Sequence, residues 1–254
     1  MSSAQLLFLD SNNATQIGET PSDLIFSLNF NTGNNMSNYA LSIQSVTFPN
    51  AVYPITDDNN KVYFKEDGGG TLTATLSNQN YTGSQFAIEL ATQLDAESLA
   101  SGLGRTYTVS FNSNTDKLTI SAGDLPNTIQ FVSGLNDVNL EAGFDPNQSA
   151  LNQYVGAYPI NLSGSAYVDV QADISTQNYS SNGKSNILER IPIDSNYGSI
   201  IIYQNTTDDY IRLNESSIST IEIRLLNDKG ALYELPKNAN VSFVIKLSQI
   251  LLGD

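Results

Sequence analysis

The chain has 254 residues, of which 40 % are apolar and only 15 % charged, with a formal net charge of −15. That length holds one large all-β domain or two small domains and a sizeable core. Cys, His and Trp are all absent, which excludes a disulfide framework, a thiol nucleophile, a Ser-His-Asp triad and a His-ligated zinc centre.

The dominant pattern is a series of short alternating apolar runs separated by Asn, Gly, Asp and Ser, as expected of strands joined by turns. The opening run Leu6–Leu9 has no preceding positive region and is too short for a signal peptide. Leu24–Phe30 is the next strand candidate, ending in Asn31-Thr-Gly-Asn-Asn35. Tyr39–Phe48 follows, with Leu41, Ile43 and Val46 apolar and Ser42 and Gln44 turned the other way. Val62–Phe64 and Thr71–Leu76 flank Gly68-Gly69-Gly70 and predict a hairpin.

One helix is predicted, over about 82–100. Thr82 and Gln85 have capping-box spacing, Tyr81 and Phe86 are placed as a hydrophobic staple, and Ala87, Leu90, Ala91 and Leu94 form one apolar face. Gly102 and Gly104 supply the stop. Beyond it, Thr106–Phe111 and Lys117–Ala122 alternate with period two on either side of Asn112–Asp116 and predict the clearest hairpin. Residues 134–165 are weakly periodic and rich in Asn, Gly and Pro, and read as a long connection. The remaining strand candidates are Ile129–Val132, Ala166–Val170, Ile187–Ile193, Ser199–Tyr203, Ile218–Leu226 and Val241–Leu247. Many short strands at this spacing predict a sandwich or jelly roll.

Charge distribution argues against direct nucleic-acid contact. Residues 1–60 hold no Lys or Arg, nor does the stretch from Leu118 to Gly183, whereas phosphate binding needs a basic stripe or arm. No apolar stretch approaches the roughly 20 residues of a membrane span.

Candidate chemistry is thin. The doublets Asp57-Asp58 and Asp208-Asp209 offer clustered oxygens that calcium favours, but both fall where turns are expected and Asp and Asn are turn formers. Glu89, Glu141, Glu189, Glu215, Glu222 and Glu234 are available for a glycosidase pair, and nothing ranks one pair above another. Gly68–Gly70 lacks the Lys-Ser/Thr that a phosphate loop requires. The thirteen Tyr and ten Phe residues fall mostly within strand patterns, as core candidates and not as a sugar-stacking face. No catalytic, cofactor-binding or metal residue is assigned.

Several segments together resemble one family. Leu6-Leu-Phe-Leu-Asp-Ser11 with Pro21-Ser-Asp-Leu-Ile-Phe26, Pro49-Asn-Ala-Val-Tyr-Pro-Ile55 with Asn59-Asn60, and Tyr81-Thr82 leading into helix and hairpin resemble penton and related minor capsid proteins of virophages, polinton-like viruses and large algal DNA viruses. Leu188–Ile193, Gly198–Asn205 and Asp228–Phe243 are similar to the C-terminal half of that family. The chain departs at Gly143-Phe144, where a Leu-Gly-Phe is frequent, and at Pro236–Asn240, where a Gly-Asp-Trp-like element is common.

The resemblance implies an all-β fold, a single jelly-roll capsid domain over 1–254 with one inserted helix, and five copies at each vertex of an icosahedral virion. It implies major and other capsid proteins as partners, synthesis in the host cytoplasm, no enzyme activity and no cofactor. The rival readings are a minor or cement capsid protein, a carbohydrate- or receptor-binding β-sandwich and, last, an enzyme.

Overall fold

A computed structural model describes residues 4–28, 39–123, 126–174, 183, 186–207, 210–213 and 218–249. The chain divides into two compact units, the first formed by Met1–Val52 with Ser165–Asp254 and the second by Tyr53–Gly164. Unit 1 opens with β1 (Ala4–Asp10), β2 (Gln16–Ile17), β3 (Asp23–Ser27) and β4 (Tyr39–Pro49). Unit 2 contributes β5 (Lys61–Glu66), β6 (Thr71–Thr75), α1 (Gly83–Ala100), β7 (Thr108–Asn112), β8 (Lys117–Ser121), β9 (Ile129–Val132), the one-turn α2 (Asn139–Ala142) and β10 (Gln153–Val155). Unit 1 then resumes with β11 (Tyr167–Ala172), β12 (Ile187–Pro192), β13 (Ile200–Gln204), β14 (Ile211–Arg212), β15 (Thr220–Leu226) and β16 (Ser242–Gln249).

Unit 1 has two antiparallel sheets, β1-β16-β4-β13 with β14 beside β4, and β12-β11-β15-β3-β2. Setting aside the two-residue β2 and β14, eight strands remain. In chain order they fall first, eighth, third and sixth in one sheet, and second, seventh, fourth and fifth in the other. That connectivity is a jelly roll. Its core interleaves Leu41, Ile43, Val46, Phe48, Phe243 and Ile245 from the first sheet with Leu24, Phe26, Val168, Val170, Ile221 and Ile223 from the second.

The alternation along β4 changes phase between Ile43 and Val46, and the structure gives the cause. Val244 pairs with Ser45 and Ile245 with Ile43, so Gln44 has no opposite number. One extra residue is a β-bulge, and it lets Ile43 and Val46 both face inward despite their odd-to-even spacing.

Unit 2 is the part that one continuous jelly-roll domain does not anticipate, because the predicted helix and both predicted hairpins lie in it. Its sheets are β10-β8-β7 and β6-β5-β9. Thr82 caps α1 with the full reciprocal capping box to Gln85, and the Tyr81 and Phe86 rings meet edge-on at 5.7 Å. Phe86, Ala87, Leu90 and Leu94 are buried, while Ala91 is half-buried. The helix stops at Gly102, whose φ of 87° lies in the left-handed region that suits glycine.

Residues 134–165 are more than a connection. Val138, Ala142, Phe144 and Tyr154 from this segment are buried in the core of unit 2. Phe144 stacks on Phe131 at 3.9 Å, and Tyr154 meets both rings edge-on. The segment lacks periodicity because it buries isolated large side chains between turns.

Candidate assembly surface

The residues singled out for chemistry are dispersed. In the Asp57-Asp58 turn, the Asp57 carboxylate accepts from the side-chain amides of Asn60 and Asn78, at 3.2 and 2.9 Å. The Asp58 backbone N–H donates to the Thr56 hydroxyl, and that of Thr56 to Asn59 Oδ1 at 2.8 Å. These are the local bonds that Asp and Asn make in turns. Asp208-Asp209 and Glu215 lie outside the described residues, and among the described residues no group of three or more acidic side chains could hold a metal ion.

The glutamates do not converge. Glu89, on the helix surface, accepts from the Ser77 backbone and hydroxyl. Glu141 accepts from Asn59 at 2.9 Å, and Glu189 from the Arg190 backbone at 3.1 Å. Glu234 is exposed. In unit 1, Asp173 and Glu222 line one small hollow with Gln171 and Arg224, but Asp173 accepts from the Glu222 backbone at 3.0 Å and Glu222 is ion-paired with Arg224. Gly68–Gly70 forms the tip between β5 and β6, where the Gly69 N–H donates to the Glu66 carbonyl at 2.8 Å. Most aromatic rings are in the two cores.

The exposed apolar side chains are the more informative feature. The outer faces of the two jelly-roll sheets differ in kind. The sheet containing β15 carries ion pairs between Arg224 and both Asp23 and Glu222, and between Arg190 and Asp169. The partly exposed pairs of Arg224 suit contact with water, whereas Asp169 is buried beneath Arg190.

The outer face of β1-β16-β4-β13 instead carries Phe8 at 73 % exposure, Leu6 at 49 %, Ile202 at 66 % and Ile200 at 64 %. Ser42, Ser45, Thr47, Ser242 and Val244 fill its middle. Phe8 pairs across β16 with Val244, and Ile202 pairs with Thr47. Lys246 lies opposite Leu6 and donates to the Tyr210 hydroxyl at 2.8 Å.

The pattern explains what the sequence hides. Leu6–Leu9 looks uniformly apolar, yet Leu7 and Leu9 turn to the core while Leu6 and Phe8 face out. Ile200-Ile-Ile202 reads as a fully buried run, yet only Ile201 is buried. A run without polar residues conceals which face is outward.

No protein-family model matches the chain, and no curated protein matches it. Solved structures do. A chain of the Sputnik virophage structure at 3.5 Å, determined by cryo-electron microscopy, is 14 % identical with a TM-score of 0.45, covering 96 % of this chain and 98 % of that one. The crystal structure of the mavirus penton protein is 10 % identical with a TM-score of 0.55, covering 98 % of this chain and all of that one. Across nearly its whole length, therefore, the chain shares the fold of the mavirus penton protein.

Proposed function

We propose that this chain is a structural capsid protein, a penton that occupies the five-fold vertices of an icosahedral DNA virus. It assembles as a homopentamer, contacts major capsid protein subunits around it, and resides in the virion after synthesis in the host cytoplasm. The observation that carries this reading is the end-to-end fold match to a penton protein, with both units included in the 98 % coverage. The chemistry supports it. The candidate carboxylates are dispersed, each half of the chain closes its own apolar core, and one sheet face presents large apolar side chains of the kind that mark interaction surfaces.

Negative-stain images of the purified full-length chain test the proposal, with five-fold rings expected. Gold-labelled antibody on virions adds the location, with label confined to vertices. Label spread over the facets, at a copy number well above that of vertex subunits, would assign the chain to a minor or cement role instead.

A further inference from the structure

We infer that the end of the outer β1-β16-β4-β13 face bearing Arg212 and Lys246 binds a short acidic polypeptide segment, whose carboxylates pair with the two cations. The inference goes beyond the capsid reading and does not depend on it.

Cross-strand register builds the site. One row across the sheet runs Ala4, Ser248, Ala40 and Arg212, on β1, β16, β4 and β14 in turn. The next row sets Lys246 between Leu6 and Ser42. Three small side chains beside longer ones leave a hollow, and together with Tyr210 they line a pocket of about 560 Å³. The Lys246 ammonium donates to the Tyr210 hydroxyl at 2.8 Å and lies 5.3 Å from the centre of that ring. Tyr210 precedes Arg212 by two residues, so the ammonium is drawn toward the same wall of the hollow as the guanidinium.

Pairing separates Arg212 from the other arginines. Arg105, Arg190 and Arg224 each hold a carboxylate, whereas among the described residues Arg212 has no ion-pair partner and is exposed. Two cations meet in one pocket on a chain that has eleven Lys and Arg against 26 Asp and Glu. A guanidinium fork matches a carboxylate in two-pronged geometry, and a positive hollow on an acidic chain attracts what the rest of the surface repels.

The remaining chemistry selects the occupant. The pocket is of a size that holds an organic ligand and not only a bare ion. Tyr210, the one ring among its described lining residues, is engaged by Lys246, and Trp is absent, which disfavours a sugar held by stacking. A nucleic acid needs a run of cations along its phosphates, and the net charge of −15 opposes a long polyanion beyond these two. A short acidic segment meets both limits, because alternate side chains of an extended chain face the same side.

Fluorescence anisotropy tests this with a labelled short peptide that carries Asp at two alternate positions among Ser and Ala, beside its Asn counterpart. Each is titrated at low salt with the full-length chain, where ion pairs are least screened. The Asp peptide is expected to bind saturably, and to bind at least about tenfold more weakly to Arg212→Gln and to Lys246→Gln. Arg212→Lys falls between, since it keeps the charge without the fork. Lys237→Gln makes the same charge change at an exposed site before the opposite end of β16, and should leave binding within about twofold of the parent. Melting temperatures like the parent's show that the variants are folded.

Equal binding of the Asp and Asn peptides overturns the inference, as does a loss for Arg212→Gln and Lys246→Gln no greater than for Lys237→Gln. Inorganic phosphate that displaces the Asp peptide at equal concentration makes the pocket a small-anion site instead. A sulfated oligosaccharide that binds where the Asp peptide does not makes it a glycan site. Each of these results removes the polypeptide occupant and leaves the imaging test of the capsid reading untouched.

Discussion

The Tyr107 hydroxyl donates to Glu66 Oε1 across 2.5 Å inside unit 2, with each residue only 3 % exposed. Glu66 is the last residue of β5 and points inward in phase with Val62 and Phe64. Its second oxygen, Oε2, is buried with no hydrogen-bond partner among the described residues. The phenol is thus the main compensation for a carboxylate in an apolar setting. Tyr107→Phe is expected to destabilise the chain by about 2–3 kcal/mol. Glu66→Gln in that background should recover part of the loss, because it removes the charge that needed the donor. Denaturant unfolding of the two single variants and the double closes the cycle, and additive costs would show that the pair is not coupled.

Burial, followed by the bond to Glu66, pushes the Tyr107 hydroxyl far above the usual phenol range, and burial alone does the same for Tyr233. Tyr154 and Tyr81 shift in the same direction, again chiefly through burial. A group whose folded pKa is raised contributes stability that is complete below its unfolded pKa of about 10 and is lost as pH rises toward the folded value. Unfolding on the alkaline side should therefore begin above pH 10. Tyrosine absorbance near 295 nm should show the exposed phenols ionising first and the buried ones only with loss of the circular dichroism signal. A single smooth titration of all thirteen tyrosines in the folded chain would contradict this.

The acid side has a different origin. The Arg105 guanidinium, bonded to Asp67, and the Thr128 backbone N–H together hold the Asp67 carboxyl at about 2. A lowered folded pKa contributes stability above the unfolded value of about 4, and that contribution is lost as pH falls toward 2. The site is exposed enough for solvent to screen it, so the effect is small. Asp67→Asn should flatten the melting temperature between pH 4 and 2 relative to the parent. An unchanged slope would remove the ion pair from the account.

Local signals were legible in the sequence where one residue type has one structural meaning. Thr82 and Gln85 form the cap their spacing predicts, Tyr81 and Phe86 form the staple, and β9 begins and ends at Ile129 and Val132. The division into two units was not legible. Pro54 and Gly164, near its boundaries, differ in no visible way from the turns inside either unit. The outward placement of Phe8 and Ile202 was also hidden. It depends on register, which β16 and β4 fix from more than two hundred or one hundred fifty residues away along the chain, and local alternation carries no information about it.

Phe144 tests whether 134–165 belongs to the core. Its ring stacks on Phe131 and meets Tyr154 at 5.6 Å. Phe144→Ala leaves a void between rings held by strands on either side, so little collapse is available to fill it. The expected cost is about 3–5 kcal/mol, read as a lower denaturant midpoint, whereas a loop on the surface would lose well under about 1 kcal/mol. For scale, Thr82→Ala should cost about 1 kcal/mol through loss of the helix cap.

Asp169 is wholly buried on β11 and receives a two-pronged bond from Arg190 on β12, Nε to Oδ1 at 2.7 Å and Nη2 to Oδ2 at 2.9 Å. The same guanidinium lies 3.8 Å from the centroid of the Tyr167 ring. Removing the cation strands a carboxylate that water does not reach, and stranding is what makes such pairs costly to break. Because the Arg190 side chain is itself 43 % exposed, Arg190→Ala should cost about 2–3 kcal/mol instead of the about 3–5 of a fully buried pair. Arg190→Lys keeps the charge but not the planar fork or the stacking, and should fall between the parent and Ala. If Lys and Ala variants unfold at the same denaturant concentration, geometry contributes nothing beyond packing. If Lys matches the parent, charge alone holds Asp169 in the sheet.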